Sequence, residues 1–234
     1  MSRVKLVTGF VPIEGHPRTA ADYGALGAEL ANTTVPLQAF HAQLRDCWLY
    51  GMLAELPYAV THSEGDNPRK NTLAYHIVNH QKTAWLLEAS LEDRESDVFV
   101  WVDYGITHLP GVTTAVIEEC ARAIADDPPT TITVPGCWNE SPVSDAFPCW
   151  RFCGSVLICP RHHLRDLDQA VRVQAFRCVQ ATRNVPWEVN TWARVEQSRE
   201  VSIAWYRADH DQTLFTNYGA TRRARREAGA DAAG

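Results

Sequence analysis

The chain has 234 residues, enough for one large domain or two small ones with a sizeable buried core. Hydrophobic residues make up 45% and charged residues 21%, the composition of a soluble globular protein, and the formal charge of −6 argues against a general polyanion binder, because counterion release needs a dense basic footprint. Seven Cys, an odd number, exclude a fully paired disulfide framework; with no secretory signal before the first strand-like segment and no apolar run as long as a membrane span, reduced thiols in a cytoplasmic protein are the expectation.

Residues 4–13 (VKLVTGFVPI) are rich in β-branched side chains and end at a Gly/Pro/His loop, so they read as a buried first strand. Residues 20–31 place Tyr23, Leu26 and Leu30 on one side of a helix. Residues 35–41 are a second strand, 47–56 a short apolar helix, and the polar run 61–70 (THSEGDNPRK) a loop. Asn71 stands where an N-cap would, ahead of a long helix through Ser90. Leu73, Ile77, Ala84, Leu87 and Leu91 recur there at helical spacing, with His76, Asn79 and Lys82 on another side. Residues 97–103 (DVFVWVD) are a nearly continuous apolar run closing on a carboxylate, the pattern of a strand covered on both faces.

Residues 113–126 are helical and stop before Pro128-Pro129. Residues 130–134 and 149–159 (CWRFCGSVLIC) are strand-like, the second with Gly154 inside it. Residues 161–182 form a long helix. Pro186 opens a short helix carrying Trp187, Glu188, Asn190 and Trp192, and 201–210 are the last strand. The alternation predicts one α/β domain over residues 1–220, a mixed, mostly parallel sheet flanked by helices, followed by a flexible basic tail over 221–234. The eight Trp are expected mainly in the core.

Ligands of open α/β sheets gather at the carboxyl ends of strands. Asp103, closing a buried strand beside Gly105, is therefore placed to hold Mn²⁺ or Mg²⁺, which take carboxylate oxygens and share them with substrate phosphates. The plainer reading is an Asp that caps the next element. The segment from Thr72 to Gly105, a helix with Lys82 followed by SDVFVWVDYG, resembles the HtrL/YibB-like bacterial glycosyltransferases, a group within the GT-A nucleotide-sugar transferases. The likeness returns at Leu6 to Val11, at Arg18 and Tyr23, at Arg151 to Ser155, at Trp187-Glu188 and at Trp205 to His210.

What the resemblance implies is sugar transfer from a nucleotide-sugar donor to an acceptor hydroxyl, with divalent-metal assistance. Asp103 matches the last Asp of the family's D-x-D-like motif, and Trp101 replaces its first acid. His210 resembles the C-terminal His that completes such metal sites, or is a surface histidine among polar neighbours. Thr8, Phe10, Val11, Arg18 and Lys82 join Asp103 as donor contacts, Lys82 as a point charge on phosphate. Arg151, Gly154, Ser155 and Trp187 face a carbohydrate or other acceptor, and Glu188 is its general base. As alternatives, Glu188 is simply an acid in a helix first turn, and Gly154 marks a β-bulge.

Three other readings compete. Cys149, Cys153, Cys159, His162 and His163 fall within 15 residues and are zinc ligands by type, without tight C-x₂-C spacing. The Arg222, Arg223, Arg225 and Arg226 cluster is a solvated terminus or a DNA contact, the acceptor then being a hydroxymethylated base. Trp101 prompts the last, a binding protein that keeps the fold without the transfer.

Overall fold

The computed structural model describes residues 2–65, 67–138, 143–144 and 146–231, with side chains through Ala224. Its main sheet has six strands: β1 (Val4–Phe10), β2 (Leu37–His41), β4 (Val98–Val102), β5 (Ile132–Gly136), β6 (Val156–Pro160) and β8 (Ile203–Arg207), in the order β2-β1-β4-β6-β5-β8. β1 pairs parallel with β2 and β4, and β5 parallel with β8. β6 alone runs against its neighbours β4 and β5. This is the mixed, mostly parallel α/β sheet that the alternation predicts. Two short strands, β3 (Thr61–His62) and β7 (Asn184–Val185), pair separately.

β4 is buried at every position, and its alternation divides the core. Val98, Val100 and Val102 face α1 (Ala20–Leu30), α5 (Thr114–Asp126) and α8 (Thr213–Asp231). Phe99 and Trp101 face the other layer, with α2 (Trp48–Ala54), α3 (Leu73–His80), α4 (Lys82–Glu92), α6 (Leu164–Thr182) and α7 (Glu188–Ser198). Full burial of each large apolar side chain is worth about 1.5–3 kcal/mol, so a strand apolar on both faces is stable only between two helical layers. Trp85 of α4 stacks on Trp101 at 5.7 Å, as core-filling Trp are expected to do.

Several local expectations are corrected. The single helix through Ser90 is two helices, α3 and α4, that meet at Gln81. In α4, Leu91 is 61% exposed while Trp85, Leu86 and Ala89 are buried. The N-cap is Thr72, which accepts from the Tyr75 amide; Asn71 instead bonds His76 and Ser63. Residues 149–155 are loop rather than strand, and β6 starts only at Val156. From Thr221 the described backbone continues α8 to Asp231, and Arg222 makes a two-point pair with Asp127 at 2.7 and 2.8 Å. The side chains of Arg225 and Arg226 lie outside the described residues. No helix among the described residues is long and apolar enough to cross a membrane.

Candidate functional site

The carboxyl ends of β1 and β4 open into a cavity of about 520 Å³. Asp103, one residue past β4, stands in its wall with its side chain 34% exposed. Lys82, the first residue of α4, is 4% exposed and reaches the same wall. Its Nζ lies 3.1 Å from Asp103 Oδ1 and 3.1 Å from Glu188 Oε1, and donates to the Gly154 carbonyl at 2.9 Å. Trp101 Nε1 donates to Asp103 Oδ1 at 2.8 Å, and the Asp103 amide donates to the Ser155 carbonyl. The Trp101 indole thus fixes the direction of the Asp103 carboxylate.

One buried ammonium between two carboxylates sets the electrostatics. Burial alone would lower the Lys82 pKa, but Asp103 and Glu188 outweigh it and hold the amine above its ordinary value. Burial would likewise raise Asp103; Lys82, the Trp101 N–H and Ser155 outweigh it and keep the carboxylate ionised. Lys70 is pulled below the usual lysine range by burial, with Asp103 opposing that pull.

Aromatic and basic side chains stand elsewhere in the cavity wall, together with the acid Glu14 and the aliphatic Val11, Ile13 and Val78. Phe10 stacks on Tyr104 with centroids 5.2 Å apart at 27°, and meets Tyr23 at 5.2 Å. Lys70 Nζ sits over Tyr75 at 5.0 Å, and the Arg18 guanidinium over Tyr23 at 6.0 Å. Gly27 lets the Tyr104 ring approach α1, since a Cβ there would strike the ring.

This chain is similar in fold to two solved glycosyltransferases. One is a glycosyltransferase involved in the glycosylation of the major capsid of PBCV-1, 11% identical, matched over 88% of this chain and 81% of that one with a TM-score of 0.48. The other is mouse xyloside xylosyltransferase 1 in its apo form, 10% identical, over 88% and 85%, with a TM-score of 0.46. No protein-family model matches the sequence, and no curated protein matches it.

Of the donor residues named from the sequence, Phe10, Val11, Arg18, Lys82 and Asp103 line the cavity. Thr8 is fully buried in β1 and does not; its Oγ1 has no partner among the described residues. The acceptor set is not gathered in that wall. Arg151 is 4% exposed, held by Glu196 at 2.6 and 2.9 Å and packed over Trp205 at 4.3 Å. Trp187 donates to the Glu64 carbonyl and packs on His76 at 4.8 Å. Gly154 makes room for Glu188, because a Cβ there would run into Glu188 Oε1. Glu188 is 5% exposed; Oε1 serves Lys82, and Oε2 has no partner among the described residues.

Asp103 and His210, paired by the resemblance as ligands of Mn²⁺ or Mg²⁺, stand in the walls of different cavities. A divalent ion on Asp103 would share Oδ1 with an ammonium 3.1 Å away, and those ions ask for several oxygens. A ring nitrogen of His210 instead lies within 4.8 Å of the Cys137 and Cys153 sulfurs. This donor set does not fit a hard divalent ion.

The second cavity, about 530 Å³, is lined by Cys137, Trp150, Arg207, Asp209 and His210 among others. The neighbouring Cys153 thiol and His210 hold the Cys137 thiol well below the usual thiol range, and Cys137 in turn raises His210. The zinc set named from the sequence is dispersed. Cys159 is buried in β6, Cys149 is buried beside Asn190, and His162 and His163 pack on each other at 4.1 Å. Only Cys153 joins this cluster.

Lys70, Tyr75, Tyr104 and Cys137 are site residues that sequence reasoning missed. Lys70 and Tyr75 flank the predicted start of a helix, and a cation and a ring at that boundary were the available signal. For Cys137 the sequence carries none.

Proposed function

We propose that the chain transfers a sugar from a nucleotide-sugar donor to an acceptor hydroxyl, with the donor seated in the cavity between β1, β4 and α4. One observation carries this reading: a stacked aromatic pair, Phe10 and Tyr104, and three cations, Lys82, Lys70 and Arg18, line one cavity at the carboxyl ends of parallel strands. Rings accept a nucleobase by stacking, and ammonium and guanidinium groups accept a diphosphate. The resemblance over Thr72 to Gly105 points to the same chemistry.

In the transfer, the bond from the anomeric carbon to the diphosphate breaks, a bond to the acceptor oxygen forms, and the acceptor proton leaves to a base. Negative charge grows on the departing diphosphate. Lys70 and Arg18, which stand in the cavity over Tyr75 and Tyr23, offer positive charge there, while Lys82, already balanced by its two carboxylates, holds Asp103 in place. Glu188 acts through Lys82 as a positioning residue, and Asp103 is the carboxylate that the cavity presents to substrate. In this reading protein cations do what Mn²⁺ or Mg²⁺ does in enzymes with two motif acids.

The test is a thermal-shift panel of nucleoside diphosphates and nucleotide sugars, followed by donor hydrolysis with and without EDTA. A ligand that binds only the native state raises the melting point by mass action. The expected result is a shift with at least one nucleotide, and hydrolysis that survives EDTA but is lost in Asp103→Ala. A panel without any shift overturns the donor reading; hydrolysis abolished by EDTA and restored by Mn²⁺ overturns the metal-free part.

A further inference from the structure

Beside the donor cavity, two thiols and an imidazole meet at the same edge of the sheet. Cys137 follows the end of β5, Cys153 precedes β6, and His210 follows β8. Because β6 runs against β5, while β5 and β8 run together, all three segments emerge at one edge. Backbone bonds clamp them: Cys153 N to Pro135 O at 2.8 Å, Cys137 N to Trp150 O at 3.2 Å and Ala208 N to Gly136 O at 2.9 Å.

The two sulfurs are 3.5 Å apart, and with a ring nitrogen of His210 the three ligand atoms lie within 4.8 Å of one another. Two thiolates about 2.3 Å from a tetrahedral Zn²⁺ stand roughly 3.8 Å apart. The sulfurs are therefore already spaced for a shared ion, whereas a disulfide needs about 2.05 Å. A Zn–N bond of about 2.0–2.1 Å puts that nitrogen roughly 3.6 Å from each sulfur, so the His210 ring closes by at most roughly 1.2 Å. That ring is held edge-on by Trp150 at 4.9 Å, with Asp209 Oδ1 3.9 Å from Nδ1. A carboxylate beyond a ligating imidazole is a common outer support of zinc sites.

We propose that Cys137, Cys153 and His210 hold one Zn²⁺, with a fourth position open to the cavity lined by Trp138, Trp150, Arg207 and Asn217. Two sulfurs and one nitrogen select zinc over Mg²⁺ or Mn²⁺. Three protein ligands and an open position make a site whose last ligand is an exchangeable water. On binding, Zn²⁺ displaces the remaining thiol protons, which pass to the buffer. The site is independent of the nucleotide reading, since none of its ligands lines the donor cavity.

The test uses the full chain, reduced and stripped with chelator, then titrated with Zn²⁺ against a chelating dye and separately with Co²⁺. The expected result is one equivalent of Zn²⁺ per chain, and a thiolate-to-Co²⁺ charge-transfer absorption. Cys137→Ser and His210→Gln, at half-buried positions that tolerate change, each weaken Zn²⁺ at least about 100-fold, as does Cys153→Ser if it folds. Asp103→Asn leaves Zn²⁺ affinity unchanged. Absence of the charge-transfer band, Zn²⁺ affinity unaltered in Cys137→Ser and His210→Gln, or a Cys137–Cys153 disulfide in the stripped protein under reductant would overturn the proposal.

Discussion

Two cavities of nearly equal size, about 520 and 530 Å³, sit at the carboxyl edge of the sheet, and their walls follow opposite chemistries. Beside β1 and β4 the buried charges are hard, an ammonium between two carboxylates, with aromatic rings above them. Beside β5 and β8 they are soft, two thiols and an imidazole. What separates them is the loop of residues 151–155 that leads into the one antiparallel strand. It ties to Asp103 through Ser155 and to β5 through Cys153. The histidines report the same division. His76, near the hard site, is lowered by burial, whereas His210, at the soft site, is raised by the neighbouring Cys137. Nearness to one edge of a sheet does not make residues one site; the partner that each side chain finds decides its chemistry.

The contrast is broken most severely at Lys82. In Lys82→Met two carboxylates, one of them 5% exposed, face each other without a cation, and breaking a buried pair in this way costs about 3–5 kcal/mol. Urea unfolding should show that loss, and adding Glu188→Gln should recover part of it, because the second change removes the uncompensated charge. Two additive losses would mean that the residues are not coupled.

Acid sharpens the contrast between the histidines. The unfolded chain protonates His76 near 6.5, the native one only near 4, with burial the main cause and His80 and His62 adding to it. His76 therefore contributes full stability above about pH 6.5, and this is lost as pH falls toward 4, by about 3 kcal/mol. Burial lowers His80 too, so it adds to the loss with the same sign. Unfolding midpoints between pH 7 and 4 should fall in that window, and His76→Gln should flatten the slope. An unchanged slope in the variant would assign the acid sensitivity elsewhere.

Gly154→Ala probes the boundary between the two halves. Its Cβ meets Glu188 Oε1, an atom already fixed by Lys82, so the loop or the triad must shift. Overpacking of this kind costs about 1–3 kcal/mol. The same variant should weaken nucleotide binding, because Lys82 also loses its bond geometry to the Gly154 carbonyl. Unaltered stability and binding would show that the triad has slack.

The sequence discloses these features unequally. The place of Asp103 in a cavity wall was legible from its position at the carboxyl end of a buried strand, although a capping Asp fits the same run of residues. The sheet type was legible from alternation. The reversed β6 was not, since no residue in VLICP differs from what a parallel strand would carry. Nor was the break at Gln81, where neither Pro nor Gly interrupts the helix. Lys82 was named from the resemblance as a charge on phosphate, but its partners, residues 103 and 188, arrive from afar and no local pattern announces them. Cys137 is invisible for the same reason, its partners coming from positions 153 and 210. Side chains whose role depends on a distant partner escape a local reading; those set by the pattern around them do not.

The smallest effect is the most specific one. Phe10 is half-buried, rests on Tyr104 and Tyr23, and bears no charge of the triad. If the aromatic pair is a nucleobase platform, Phe10→Leu keeps an apolar wall and removes only the ring. An aromatic pair contributes about 0.5–1.5 kcal/mol beyond its buried area, so nucleotide affinity should fall roughly fivefold, a change of about 1 kcal/mol. Inorganic pyrophosphate, which has no base to stack, should bind both proteins equally, and Zn²⁺ titration should be unmoved. A loss of pyrophosphate binding equal to the loss of nucleotide binding would show that Phe10 shapes the cavity as a whole, and the base would then have to be sought on another wall.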